Sequence, residues 1–242
     1  MAIFNELLHR PLVNLLAFLY EHPAFRDFGV AIIMLTVIIR LVLFPLFHKT
    51  AQHQRINQKL QPHIKKIQET HKDNREAQTK AMMALYSEHN INPLTPILLL
   101  IVQLPILIAL YQVFRDGFSE KALEALYPFV SRPEVFNTTL FGLIDLNSPN
   151  IAIVLLAAAA QYFQGKASMP KHSGVELTQA EQIGRKMIFI GPVLTLVILW
   201  TLPAALGIYW LTSTLFSLLQ QKIVDRKLSA STVSGTGKEA VK

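Results

Sequence analysis

The chain has 242 residues, 51% of them hydrophobic and only 16% charged, and its mean hydropathy is +0.34. Soluble domains carry about 25% charged residues, so this composition indicates an integral membrane protein. The net charge of +7 does not by itself indicate a nucleic-acid site, and the absence of cysteine excludes disulfides, thiol catalysis and cysteine-ligated metals.

Residues 1–22 read as an amphipathic helix lying in the membrane interface. Phe4, Leu7, Leu8, Leu12, Leu15, Leu16 and Leu19 recur at three- and four-residue steps, with Asn5, His9, Arg10 and Asn14 mainly on the other face. The alternative is an ordinary helix packed on the protein. A cleavable signal is not expected, because the stretch lacks a basic n-region and an uninterrupted apolar core.

A spanning helix needs ~20 mainly apolar residues, and residues 28–47 supply the first. The loop that follows, 49–91, carries two apolar stripes. Ile56, Leu60, Ile64 and Ile67 form one, Ala77, Ala81, Met82 and Leu85 the other, with a turn at 70–74 between them. This pattern predicts two short antiparallel helices projecting from the membrane, the first kinked at Pro62. Residues 94–114 form a second, uncharged span. The loop 115–148 contains a short predicted helix at 119–127 and otherwise irregular chain. A third span, 149–164, is rich in alanine. Met187 to Gln221 is free of charge over 35 residues, enough for two tightly joined spans, 187–203 and 204–221, broken at "LPAALG". The small polar residues of 229–242 predict a disordered tail.

Five spans also sort the positive charge. Seventeen of the 23 lysines and arginines fall on the side of the 49–91 hairpin and the C-terminus, against five on the other side. Cytoplasmic loops carry such an excess. The N-terminus is therefore expected outside and the C-terminus in the cytoplasm.

The remaining basic residue, Arg40, lies in the middle of the first span, where a charge costs ~2.5–3.5 kcal/mol on insertion scales. No Asp or Glu lies in any proposed span to pair with it. A guanidinium solvated by water and by neutral polar side chains in a cavity between helices fits better, and its five donors suit carboxylates. Those neutral side chains exist. Thr36 shares the Arg40 face, Gln103 lies in the second span, and Gln161 and Gln164 share a face of the third. Tyr209, Ser213 and Ser217 line up on the fifth, with Trp210 and Thr214 alongside. Each glutamine or serine could equally be packing glue between helices, and Tyr209 and Trp210 could be interface anchors.

Other chemistry finds no footing. All eight histidines fall outside the spans, so neither a metal site nor a histidine relay in the membrane is expected. There is no phosphate loop, no intramembrane acid pair and no cofactor motif, so an enzyme is not expected.

Several ordered stretches resemble the YidC/Oxa/Alb family of membrane protein insertases over roughly residues 1–228. They are "TVIIRLVLFPLF", "LQPHIKKIQE", "MMALYSEHNINPL", "VQLPILIALYQVF", "MIFIGPVLTLVILWTLPAALGIYW" and "LLQQKIV". One departure stands out. Many members place Gly-Gly-Cys and x-Pro after "NPL", whereas this chain reads "NPLTPILLL" (92–100).

The resemblance implies an all-α integral membrane protein with five transmembrane helices around a hydrophilic groove. An N-terminal interfacial helix and a mobile cytoplasmic hairpin (49–91) would complete it. It implies that Arg40, Thr36 and Trp210 work in the groove, with Gln103, Gln161 and Gln164 as further lining. The expected activity is insertion of nascent membrane proteins into the lipid bilayer of a bacterial plasma membrane, alongside a chaperone role. The ribosome and the Sec translocon are conceivable partners. The alternative from another class is a small anion channel or transporter using Arg40.

Overall fold

The computed structural model describes residues 2–92, 94–116, 123–133, 136–169 and 188–236, and nearly every element is helical. A short α1 (Ala2–Phe4) and a π-helical turn (Asn5–His9) lead into α2 (Arg10–Glu21). Then come α3 (Phe28–Val42), α4 (Phe44–Thr70), α5 (Arg75–Glu88) and α6 (Thr95–Asp116). A two-stranded hairpin follows, β1 (Thr139–Leu140) and β2 (Ile144–Asp145), and the chain ends in α7 (Ile151–Ala167), α8 (Ile190–Leu199) and α9 (Ala204–Thr236).

One face of α2 packs on the rest of the protein. It buries Leu12, Val13, Asn14, Leu16, Ala17, Leu19 and Tyr20, while Leu7, on the expected greasy face, is 70% exposed. The buried face therefore includes an amide, and its hydrogen bonds explain why. Asn14 Nδ2 donates to the carbonyls of Arg10 (2.8 Å) and Ala125 (3.0 Å), and its Oδ1 accepts from the Tyr127 amide. Polar burial is tolerated when every group finds a partner.

Asp27 starts α3, its Oδ1 accepting from the Val30 amide at 2.8 Å, while its Oδ2 accepts from the Phe141 amide. Phe28, Ala31, Ile32 and Leu35 are then fully buried, facing a core shared with Leu110, Val113 and Phe114 of α6. The chain bends by 70° between α3 and α4. Pro45, in the first turn of α4, cannot donate an amide hydrogen back to the preceding turn. The expected first span, 28–47, thus straddles a bend, and α4 runs on helically through Pro62 to Thr70.

Asn74 caps α5, accepting from the Ala77 amide at 3.0 Å. Leu60, Ile64 and Ile91 form a small core of their own, with Ile56, Met82, Leu85 and Tyr86 packed on it. At the start of α6 the departure from the family pattern has a visible role. Thr95 Oγ1 donates to the Asn92 carbonyl at 2.8 Å and also meets His53 Nδ1 of α4 at 3.2 Å.

Of the helix expected at 119–127, residues 119–122 lie outside the described residues, and 123–127 show a short helical end at 123–124 followed by a turn. Most of the 165–186 loop also lies outside. The chain read as irregular before α7 contains a register-defined hairpin, Thr139 opposite Asp145 and Leu140 opposite Ile144. Phe141 (φ 55°) and Gly142 (φ 69°) turn it in left-handed conformations. The predicted break at 202–207 is present. Pro203 separates α8 from α9, and the amides of Ala204 and Ala205 donate to the carbonyls of Ser148 (3.0 Å) and Leu146 (3.1 Å). α9 continues to Thr236, into the segment expected to be disordered, and residues 237–242 lie outside the described ones.

Among the described residues no single helix is long and apolar enough to cross a membrane, and only the bent pair α3 and α4 passes together. Ile101–Arg115, α7 and α8 are shorter apolar helices. They turn apolar side chains outward, with Ile101, Ile108, Leu156, Phe163, Val193 and Val197 each at least 49% exposed. Apolar surface on this scale marks a surface made for lipid or protein rather than water.

Candidate functional site

Arg40 projects from the last turn of α3 and is only 9% exposed. Its guanidinium lies over the Phe47 ring at 4.1 Å from the centroid, across the bend. Among the described residues no carboxylate pairs with it, and its shielded Nη1 has no hydrogen-bond partner. The Tyr209 hydroxyl of α9 lies close enough to interact with it electrostatically. A cation–π contact over Phe47 is worth up to ~2 kcal/mol when desolvated. It neutralises nothing, so the cation retains donors for an anion.

The sequence-selected residues fall into two groups around α9. In the first, Gln103 Nε2 of α6 donates to the Tyr209 hydroxyl oxygen. In that bond the Tyr209 oxygen accepts. Ser213, one turn along, is buried, and its Oγ faces the Tyr209 hydroxyl without the alignment of a full hydrogen bond. Thr36 is 1% exposed and donates to its own helix, to the Ile32 carbonyl at 2.7 Å. Its hydroxyl hydrogen is therefore spent inside α3.

In the second group Trp210 Nε1 donates to Gln161 Oε1 of α7 at 3.0 Å. Neighbouring residues on a helix point about 100° apart, so Tyr209 and Trp210 reach different partners. Gln164 is half-buried, and its described hydrogen bonds are through its backbone carbonyl, which accepts from Ser168 Oγ at 2.9 Å. Tyr209 is 3% exposed and Trp210 is bonded to Gln161, so neither is a free interface anchor.

Three contributors escaped the sequence reading. Phe47 reaches Arg40 only because of the bend. Gly191 of α8 abuts Gln161, where an added Cβ would lie 3.3 Å from Nε2. Gln220, 3% exposed, donates to the Phe44 carbonyl at 3.2 Å and ties α9 to the bend itself. Only a glutamine near the end of an apolar run hinted at the last.

The family model for the 60Kd inner membrane protein matches residues 19–231. The chain belongs to that family. Among curated relatives of the family, the membrane protein insertase YidC of Nitratidesulfovibrio vulgaris is 35% identical over 220 residues, covering 90% of this chain and 38% of the relative. The YidC insertase of Francisella tularensis subsp. novicida is 32% identical over 212 residues, covering 87% and 34%. The chain thus spans little more than a third of the length of these relatives. A crystal structure of an active YidC insertase, with its first transmembrane domain resolved, superposes with a TM-score of 0.54 at 27% identity. That match covers 92% of this chain and 45% of the other. The anion-channel alternative finds no support among these family members.

Proposed function

We propose that this chain is an insertase of the bacterial inner membrane, which it crosses five times, and that Arg40 receives acidic groups of incoming chains in a hydrophilic groove. One observation carries this reading. Arg40 is 9% exposed, yet no resident carboxylate pairs with its guanidinium among the described residues. Buried charges are ordinarily paired. An unpaired one makes physical sense where water and a transient partner take that place.

The surroundings agree. Ser213 Oγ, beside Tyr209, makes no well-aligned hydrogen bond, and neither do His48 Nδ1 and Asn57 Oδ1 further along α4. Shielded polar atoms of this kind are places for water. An acidic tail held by Arg40 would be solvated partway across, shortening the apolar distance left to traverse. Partition of the apolar segment into lipid supplies the drive, at about 25 cal/mol per Å² of apolar area. The membrane potential adds ~2.3 kcal/mol per charge per 100 mV for an acidic tail moving outward. No covalent step is needed. Arg40 also repels basic tails, which helps set topology.

The test follows insertion of a single-span substrate with an acidic tail into proteoliposomes. A hydrogen bond to a charged group contributes ~1.5–3 kcal/mol, so Arg40→Ala is expected to slow insertion by roughly tenfold to a hundredfold. Arg40→Lys should retain part of the rate. Wild-type insertion by Arg40→Ala would remove the arginine from the mechanism.

A further inference from the structure

A second arginine is held where α4, α7 and α9 converge. Arg55 of α4 places Nε 3.0 Å from Asp225 Oδ1 of α9, and its Nη1 donates to Gln58 Oε1 at 2.6 Å. Gln58 Nε2 in turn donates to the Ser168 carbonyl at the end of α7. Gln221 of α9 donates to Ser168 Oγ at 3.2 Å. Among the described residues the other two ion pairs, Arg10 with Glu6 and Arg26 with Glu21, lie close in sequence. Arg55–Asp225 joins two distant helices.

The pair is imperfect in an informative way. Arg55 is 19% exposed, and Asp225 Oδ1 is shielded from solvent, but the approach to Nε is not aligned as a hydrogen bond. Guanidinium binds carboxylate best through two parallel N–H···O bonds, and Asp225 does not supply them. A half-buried arginine is therefore held by a carboxylate that a better-placed one can replace. A replacing carboxylate would also repel Asp225 and so separate α9 from α4. The site lies 11 residues beyond the start of α4 at Phe44. At 1.5 Å per residue this is about 16 Å of helix, a distance that about five residues of extended chain would span.

We propose that Arg55 is a second carboxylate-binding site, on the hairpin side of the bend. There an acidic residue of the incoming chain displaces Asp225 and loosens the clasp of α4, α7 and α9. This rests on the insertase reading, because the ligand is the acidic tail of a membrane-bound peptide. It adds a station that the tail meets before Arg40.

The chain has no cysteine, so spin labels can be placed at Lys59→Cys on α4 and Lys222→Cys on α9, both exposed positions. In nanodiscs, a single-span peptide with an acidic tail is expected to lengthen the distance between the labels. The same peptide with Asn and Gln in place of its acids should leave it unchanged. Asp225→Asn should shift the distance to the open value without peptide and bind the acidic peptide severalfold more tightly. Arg55→Gln should open the clasp yet lower that affinity about tenfold. An unchanged distance while the acidic peptide is bound overturns the proposal, as does weaker binding by Asp225→Asn. Insertion of the same peptide into liposomes is scored separately. A clasp that opens in a protein that inserts nothing would leave this site standing and remove the insertase reading. Insertion without any opening would do the reverse.

Discussion

At Gly207 α9 lies close against α7. A Cβ built there would lie 2.6 Å from Ile153 Cγ2, a buried side chain with little room to retreat. Overpacking of this kind costs typically 1–3 kcal/mol. Gly207→Ala is expected to lower the thermal midpoint in detergent, and Ile153→Ala in the same chain should recover part of the loss. Failure of the second change to compensate would mean that the contact is not what limits residue 207. A different residue-scale expectation concerns Asp145, in the hairpin before α7. Ser148 Oγ donates to it at 2.7 Å, and the Asn147 amide and Thr138 hydroxyl add further bonds. These hold its carboxyl below the usual aspartate range. A lowered native pKa means that the stabilisation is complete above the unfolded value and fades as pH falls through the native one. Protection of the Asn147 amide, measured against its intrinsic exchange rate at each pH, should therefore fall on acidification below the ordinary aspartate range, and Asp145→Asn should abolish that acid-dependent fall. Arg40 was legible in the sequence at this scale because a lone charge in an apolar run has few explanations. Phe47 was not, since its contact depends on a bend that hydropathy does not encode.

Between elements, the arrangement around Trp210 depends on a residue without a side chain. Gly191 leaves space on α8 for the Gln161 amide, and Gln161 then accepts from Trp210. Gly191→Val would fill that space with two methyl groups and push the amide away from the indole. In a Trp200→Phe background, where Trp210 is the remaining tryptophan, the fluorescence maximum should shift and quenching by acrylamide should rise. An unaltered spectrum would show that Gln161 adapts without releasing Trp210. Element boundaries were legible where backbone chemistry dictates them. Pro203 ends one helix and begins another, Asn74 caps α5, and the stripe through Leu60 and Ile64 packs on Met82 and Leu85. The greasy face of α2 was legible, since Leu12, Leu16 and Leu19 are buried and Phe4, Leu8 and Leu15 pack on the same core. Periodicity nevertheless counts Asn14 as polar, while its three hydrogen bonds make it a core residue. The β1–β2 hairpin escaped because two-residue strands carry no periodicity, although Gly142 after an apolar pair was a usable turn signal.

For the whole molecule the decisive question is on which side of the bilayer each loop stands. The segment between the hairpin and residue 143 contains α6 alone as an apolar helix among the described residues, so the two should face opposite compartments. The charge distribution gives the sign, since the eight basic residues of 49–91 favour the cytoplasmic side. Asp27, Leu146 and Ser148 tie the β hairpin region to the starts of α3 and α9. Two exposed positions report the result: Met83 on α5, 53% exposed, and Leu143 at the hairpin turn, 86% exposed. In this cysteine-free chain, Met83→Cys and Leu143→Cys can be labelled with a membrane-impermeant maleimide. In intact cells stripped of their outer barrier, Leu143→Cys should label and Met83→Cys should not, and inverted vesicles should give the opposite pattern. Labelling of both from one side would mean that α6 does not cross. The odd number of crossings and the placement of Arg40 between an inner and an outer compartment would then fail together.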